Sequence, residues 1–412
     1  MGAITKVFGN HDNKTQAQLA DVASRAEKTA LMADGHLGYV MPIGGVAAYD
    51  NQVSVVGVGF DIACGNAAIQ TDMSLADFGT TPNTANKRLN RVADKIHSTI
   101  SFGVGRNNNA DDAPVDHPLF ESNVWTLIAN KNERESLRAK ARNQLGTVGS
   151  GNHYVDVFAD ENDVIWVGVH FGSRGLGHTI ASGFLNLSQG REWGARGASE
   201  TEVLLPLDET LGNDYWNLMQ LAGKYAYAGR EWVARKVVSI LGSNEIEIVH
   251  NHHNFAWREK HFGEEYIVVR KGATPAFPGE KGFVGGSMGD DAVILQGATK
   301  ADEATVSLQK QALFSTVHGA GRVMSRTEAA GKRKWKTGKI TKPGKVSPEM
   351  MQAWINRKGV ILRGGGLDES PHAYRRLPDV LAAQGATVEV LHTLRPLIVV
   401  MAGAHEFDPY KD

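Results

Sequence analysis

The chain has 412 residues, 42% of them hydrophobic, with 44 Lys and Arg against 45 Asp and Glu for a net charge of −1. That length allows a large core in two or three domains at roughly 150 residues each, and the balanced charge excludes the global basic field of a non-specific nucleic-acid binder, so any nucleic-acid contact must be local. One cysteine excludes a disulfide framework, residues 1–14 lack the apolar stretch of a secretory signal, Lys6 stands where myristoylation wants Ser or Thr, and no run approaches the ~20 apolar residues of a membrane span. A cytoplasmic protein without membrane association is expected.

Apolar residues at helical spacing over 14–32 (Leu19, Val22, Ala26, Ala30) predict a helix leading into a polar turn with Asp34 and His36. Residues 53–58 read as a strand running into 59–65, where Asp61 and Cys64 stand three residues apart. An amphipathic helix is predicted over 88–101 and another helical stretch over 122–145. Residues 146–157 read as a glycine loop entering an alternating strand with His153 at the junction, and 164–170 as a strand ending in His170 before a turn with Arg174. A long amphipathic helix follows over 213–241, with Asn213 as cap and Gly242 as stop. Residues 245–249 form a strand entering His250, His252 and His253.

Cys64, His153, His170 and the 250–253 histidines each follow a β-type run, so one sheet can present them at neighbouring strand ends. Any one of them is explained as well by core packing. Together, four strand-end S and N donors with an aspartate point to a metal site, and the donor types admit Zn²⁺ or Fe²⁺ as readily as Mn²⁺.

The remaining third suits phosphate. Arg270 and Lys271 end a strand, and the 285–289 loop, with Ser287 and Gly289, can form an anion nest from backbone N–H groups. His318 lies between a hydroxyl-bearing run and Gly319 and Gly321, with Arg322 four residues on; the glycines let a phosphate approach the backbone and the arginine can neutralise it. Residues 331–345 hold seven Lys or Arg with Trp335 among them, a local patch suited to RNA. Tyr374 lies in a mixed α/β finish. Candidate residues run from 34 to 374 without a linker, which suggests one catalytic unit over 1–412 with a basic insertion near 331–345.

In the same order, Asp34-Gly35-His36, Pro42-Ile43-Gly44-Gly45-Val46, Asp61-Ile62-Ala63-Cys64-Gly65, Gly151-Asn152-His153, His170-Phe171-Gly172-Ser173-Arg174-Gly175, His252-His253-Asn254, Arg270-Lys271-Gly272-Ala273, Gly286-Ser287-Met288-Gly289 and His318-Gly319-Ala320-Gly321-Arg322 resemble the motifs of the RtcB RNA ligases. The resemblance implies an α+β RtcB-like fold with central β-sheets, flanking helices and the metal site at clustered strand ends. It implies an enzyme of RNA repair or tRNA splicing that joins RNA 3′-phosphate or 2′,3′-cyclic phosphate ends to 5′-hydroxyl ends, using GTP and two Mn²⁺ ions; any activating protein partner stays unidentified. Cys64 would bridge the ions, Asp61 and His153 completing one and His170 and His253 the other, and His318 would take GMP from GTP. Asn152, Asp156, Ser287 and Gly289 would lie around the nucleotide, as would Gly319, Gly321, Arg322 and Tyr374, while Arg174 and Lys271 would meet RNA phosphate.

The chain departs from the family around the nucleotide, with Asp156 where a glutamate is usual, Asp290-Asp291 after the glycine loop, Met401-Ala402-Gly403 in place of Lys-Gly near the C-terminus, and Arg375 in place of lysine after Tyr374. Two readings compete. A metal-dependent phosphohydrolase or nuclease on RNA uses the same donors to activate water without a nucleotidyl intermediate, and an RNA-binding module keeps the metal purely structural, although closed structural sites have four ligands and no spare donors.

Overall fold

Two sheets carry the fold in a computed structural model that describes residues 3–197, 201–333, 340–404 and 406. The smaller has five strands in the order Ala3–Val7, Lys28–His36, Ile43–Tyr49, Glu264–Lys271, Asn254–His261, of which only the first pair is parallel. The larger has eight strands. Its order is Lys281–Val284, Ala292–Gly297, Val388–Met401, Tyr154–Ala159, Val164–Phe171, Gly65–Ser74, Glu245–His252, with Ile361–Arg363 parallel to Val388–Met401.

The long helix Thr210–Leu241 covers the larger sheet. Val233, Val237 and Leu241 on its second half pack with Val157, Val167 and Val169 of the strands, while Leu218, Ala222 and Tyr225 on its first half join Ile180 and Phe184 of helix Arg174–Ser188. Side chains of this size, fully buried, each stabilise the fold by about 1.5–3 kcal/mol.

The larger sheet nearly closes on itself. Asn66 Nδ2 donates to the Phe283 carbonyl at 2.8 Å and the Phe283 N–H donates to Asn251 Oδ1 at 3.0 Å. Two side-chain amides thus stand where a backbone ladder would run, giving buried edge groups the partners they need.

Local structure departs from the sequence reading at four places. The helix expected over 14–32 stops at Ala23 and residues 28–36 form a strand, buried at almost every position; an apolar run covered on both faces carries no periodicity to distinguish the two. The strand expected over 53–58 is a three-residue strand followed by one helical turn, Val55–Val58, begun by the Ser54 hydroxyl accepting the Gly57 N–H at 2.8 Å and ended by Gly59 at φ 92°. Tertiary packing outweighs the β-preference of its valines. Over 122–145 the chain breaks into a 3₁₀ turn, Asn123–Leu127, and helix Lys131–Gln144 capped by Asn130. The long helix begins at Thr210, so Asn213 is inside it, whereas Gly242 ends it in the left-handed region. Part of the basic segment, including Trp335, lies outside the described residues; its flanks pair as Gly331–Arg333 and Ile340–Pro343.

No helix among the described residues is long and apolar enough to cross a membrane. Replacing Asn251 by leucine leaves the buried Phe283 N–H without an acceptor, so the variant should lose about 1–3 kcal/mol. The denaturant midpoint should fall at unchanged slope; an unchanged midpoint would rule out the amide seam.

Candidate active site

Four adjacent antiparallel strands end at one edge of the larger sheet. Tyr154 pairs with His170, and Gly65 pairs with both Phe171 and His252. Because neighbouring strands run in opposite directions, the residues just before two of them (His153 and Cys64) meet His170, next to last in one of the other two, and His253, just past the end of the other. The donors were expected after β-type runs; Cys64 and His153 instead precede their strands, and the segment before Cys64 is a helical turn.

The tight turn 61–64 puts the carboxylate beside the thiol. Ala63 takes φ 60°, its N–H donates to the Asn254 carbonyl at 2.7 Å, and the Cys64 N–H donates to the Asp61 carbonyl at 3.0 Å. The His253 N–H donates to the Cys64 carbonyl at 2.8 Å, tying the two donor segments together. Cys64 Sγ lies 3.4 Å from His170 Nε2 and 3.7 Å from His153 Nε2, which is itself 3.1 Å from Asp61 Oδ2. Two donor groups result, Asp61/Cys64/His153 and Cys64/His170/His253, each with its ligand atoms within 4.8 Å of one another and with Cys64 common to both.

Electrostatics suit a cation. Burial keeps His170 and His253 neutral by pushing their pKa values well down, the form in which imidazole ligates metal. Burial also pushes the Cys64 thiol up, reinforced by Asp61. Asp61 is pushed up by burial too, but His153, Cys64 and Arg174 hold it down at about 2. The buried Nδ1 of His253 has no hydrogen-bond partner. A buried thiol, neutral imidazoles and one ionised carboxylate fit a divalent ion.

Residues absent from the sequence-derived site orient these donors. His170 Nδ1–H donates to Asn66 Oδ1 at 2.7 Å, which turns Nε2 toward Cys64. Arg230 donates through Nη1 to the carbonyls of Ala63 (2.9 Å) and Phe171 (2.6 Å), through Nε to His250 Nε2 (2.8 Å) and through Nη2 to His252 Nδ1 (2.8 Å). Gly149 and Gly172 are required by close approach, since a Cβ on either would fall 2.2 Å from His153 Nδ1 or Asp61 Oδ1 respectively.

His318 follows the short strand Ser315–Val317 and adjoins the cluster, its ring centroid 4.9 Å from that of His253. Asp34, fully buried, positions it: Oδ2 lies 2.6 Å from His318 Nδ1 and accepts the N–H of His318 at 3.0 Å and of Gly319 at 3.3 Å. Gly321, at φ 72°, allows the chain to wrap that carboxylate; a Cβ there would come 2.4 Å from the Asp34 carbonyl oxygen. The sequence flagged Asp34 as a turn residue near the site without revealing its partner.

The other expected residues divide. Gly285 bridges Gly319, so the 285–289 loop adjoins His318. Within it the Ser287 hydroxyl donates to Asp290 at 2.6 Å, and Asp290 also pairs with Arg376. Asp156 is buried opposite Gly168 and Val399, its Oδ1 unpartnered and its carboxyl pushed well up by burial. Asn152 is exposed. Arg322 is committed to the Tyr374 hydroxyl (2.8 Å), the Asp368 carbonyl (2.7 Å) and Glu369 (3.5 Å), so its charge is balanced within the protein instead of facing the 319–321 loop. Arg174 donates to Thr147 and to the Gly103 carbonyl. Lys271 donates to the Val56 carbonyl at 2.8 Å.

Comparison with known proteins gives the same grouping from another direction. The family model described as tRNA-splicing ligase RtcB matches residues 16–402. The RNA-splicing ligase RtcB of Escherichia coli K12 is 30% identical over 398 residues, covering 90% of this chain and 89% of that protein. The tRNA-splicing ligase RtcB of Archaeoglobus fulgidus is 30% identical over 455 residues, covering 92% and 89%, and that of Thermococcus kodakarensis is 28% identical, covering 93% and 90%. The chain belongs to the RtcB family.

Proposed function

We propose that this protein is an RNA ligase, acting in RNA repair or tRNA splicing in the cytoplasm, that joins 3′-phosphate or 2′,3′-cyclic phosphate ends to 5′-hydroxyl ends at the expense of GTP. The observation that supports it is His318, whose backbone N–H is bound by the buried Asp34 carboxylate and whose ring Nδ1 lies 2.6 Å from it, beside a five-donor cluster. A phosphohydrolase that activates water on the same donors has no role for that arrangement.

With Nδ1 beside the Asp34 carboxylate, the His318 lone pair on Nε2 attacks the α-phosphorus of GTP; a P–N bond forms and pyrophosphate leaves. The Asp34 carboxylate stabilises the positive charge that develops on the ring. The GMP moiety then passes to an oxygen of the RNA 3′-phosphate, which restores the imidazole. The 5′-hydroxyl attacks that activated phosphorus and expels GMP. Asp61, Cys64 and His153 would hold one Mn²⁺ and Cys64, His170 and His253 a second, and divalent ions there withdraw charge from phosphoryl oxygens and the leaving pyrophosphate.

Around the nucleotide, Ser287, Gly289, Gly319 and Gly321 offer backbone and hydroxyl groups to phosphate, Arg322 braces Tyr374, Asp156 reads the base, and Asn152 adds to nucleotide binding. GTP preference is set around Asp156, whose carboxyl burial pushes well up, and Asp290, which is engaged by Ser287 and Arg376. Arg174 and Lys271 receive RNA phosphate, and the basic segment 331–345 adds contact along the strand. All of this belongs to one catalytic unit spanning the chain.

Incubation with α-labelled GTP and Mn²⁺ should leave acid-labile, alkali-stable label on the protein. His318→Ala should abolish it, and Asp34→Asn should slow it by a factor on the order of 10²–10⁴, as removing a positioned acid–base partner does. Retained label in His318→Ala would remove that residue as nucleophile, and no label with any of the four nucleotides would favour the hydrolase. By equilibrium dialysis with Mn²⁺, Cys64→Ala should lose both ions and His153→Ala one; two ions on Cys64→Ala would refute a shared thiolate.

A further inference from the structure

The loop between the Asp34 strand and the glycines that border His318 exposes a tyrosine while holding its own backbone rigidly. Tyr39 and Leu37 are each 50% exposed, whereas Met41, two residues on, is fully buried and Val40 packs against the main core. Between them the side-chain amide of Gln18 clamps the turn: Nε2 donates to the Gly38 carbonyl at 3.0 Å, Oε1 accepts the Gly38 N–H at 3.0 Å, and Nε2 also reaches the Tyr39 carbonyl. Gly38 is required there, since a Cβ would lie 2.3 Å from the Met41 carbonyl oxygen. The ring is therefore presented to solvent by a fixed backbone, which costs little further ordering when a flat partner binds.

Its surroundings identify the partner. The Lys271 ammonium lies 6.0 Å from the Tyr39 ring centroid and beside Gly59, two residues before Asp61. Both ends of the loop border the reactive histidine: Asp34 touches His318 at one end, and at the other Ile43 and Gly44 pack with His318 around Gly272. An exposed aromatic face next to a cation, at the rim of a site that handles phosphate, is the combination that engages the base and the phosphate of one nucleotide.

We propose that Tyr39 is the stacking platform for the base of the 3′-terminal nucleotide of the RNA, holding that end so that its phosphate lies toward Lys271 and His318. This rests on the RNA-ligase reading. It adds a binding residue that discriminates a terminal nucleotide with a base from one without.

The test uses the full-length protein and a fluorescent single-stranded RNA ending in 3′-phosphate, in two forms, one with a normal terminal nucleotide and one with an abasic terminus. By anisotropy, Tyr39→Ala should weaken binding of the normal oligonucleotide about 5- to 150-fold, the range expected for one base–aromatic stack, while Tyr39→Phe and Tyr39→Trp keep wild-type affinity. Wild type should bind the abasic form as weakly as Tyr39→Ala binds the normal one, and Tyr39→Ala should lose nothing further on it. Thermal melting of each variant separates these effects from unfolding. Equal binding of both oligonucleotides by wild type, wild-type affinity of Tyr39→Ala for the normal oligonucleotide, or a loss in Tyr39→Phe as large as in Tyr39→Ala would overturn the platform and leave the ligase reading standing. No binding of either RNA by wild type would remove both.

Discussion

A buried guanidinium holds the donor edge together. Arg230 stands in the middle of the helix Thr210–Leu241 with no solvent exposure, and its acceptors lie beside Cys64, His170 and His253, the residues that converge on one edge. Burial lowers its pKa to about 10, so it remains a cation at neutral pH. Taking a cation out of water costs several kcal/mol, and among the described residues no carboxylate forms an ion pair with it. Two backbone carbonyls and two neutral imidazoles offset that cost, each at a direction fixed by the planar fork. Docking of the long helix and assembly of the edge are consequently one event.

The same logic extends outward through polar groups that serve two purposes. Asn66 closes the seam of the large sheet through Phe283 and orients His170. Asp34 receives two backbone N–H groups, which shape the 318–321 turn, while its carboxylate faces the His318 ring. Stability and chemistry share these residues, so the site is only as well formed as the sheet beneath it.

Much of the site was legible from the sequence because each donor sits where an apolar run meets a glycine or a polar turn, and such junctions fall at sheet edges. The directions were not legible. Whether a donor precedes or follows its strand depends on antiparallel pairing between segments far apart in the chain, and the helical turn before Cys64 depends on Ser54 and tertiary packing rather than on its valines. Arg230 gave no signal, since one arginine in an amphipathic helix reads as solvated until the fold buries it. Asn66 was in principle detectable as a lone amide at a buried strand position. Arg322 looked free for phosphate because Glu369 and Tyr374, its partners, lie 47 and 52 residues away.

Asp156, Asp290 and Met401, where the chain departs from the pattern it resembles, are not among the groups of the donor edge or of the Asp34–His318 pair. On the ligase reading proposed above, a change of nucleotide at those positions would leave the joining reaction itself intact. The most direct measurement of that reaction is a sealing assay with one RNA ending in 3′-phosphate and another beginning with 5′-hydroxyl, supplied with GTP and Mn²⁺. The account predicts a joined product that carries the original phosphate in the new linkage. Release of that phosphate, or cleavage of the strands without joining, would contradict it.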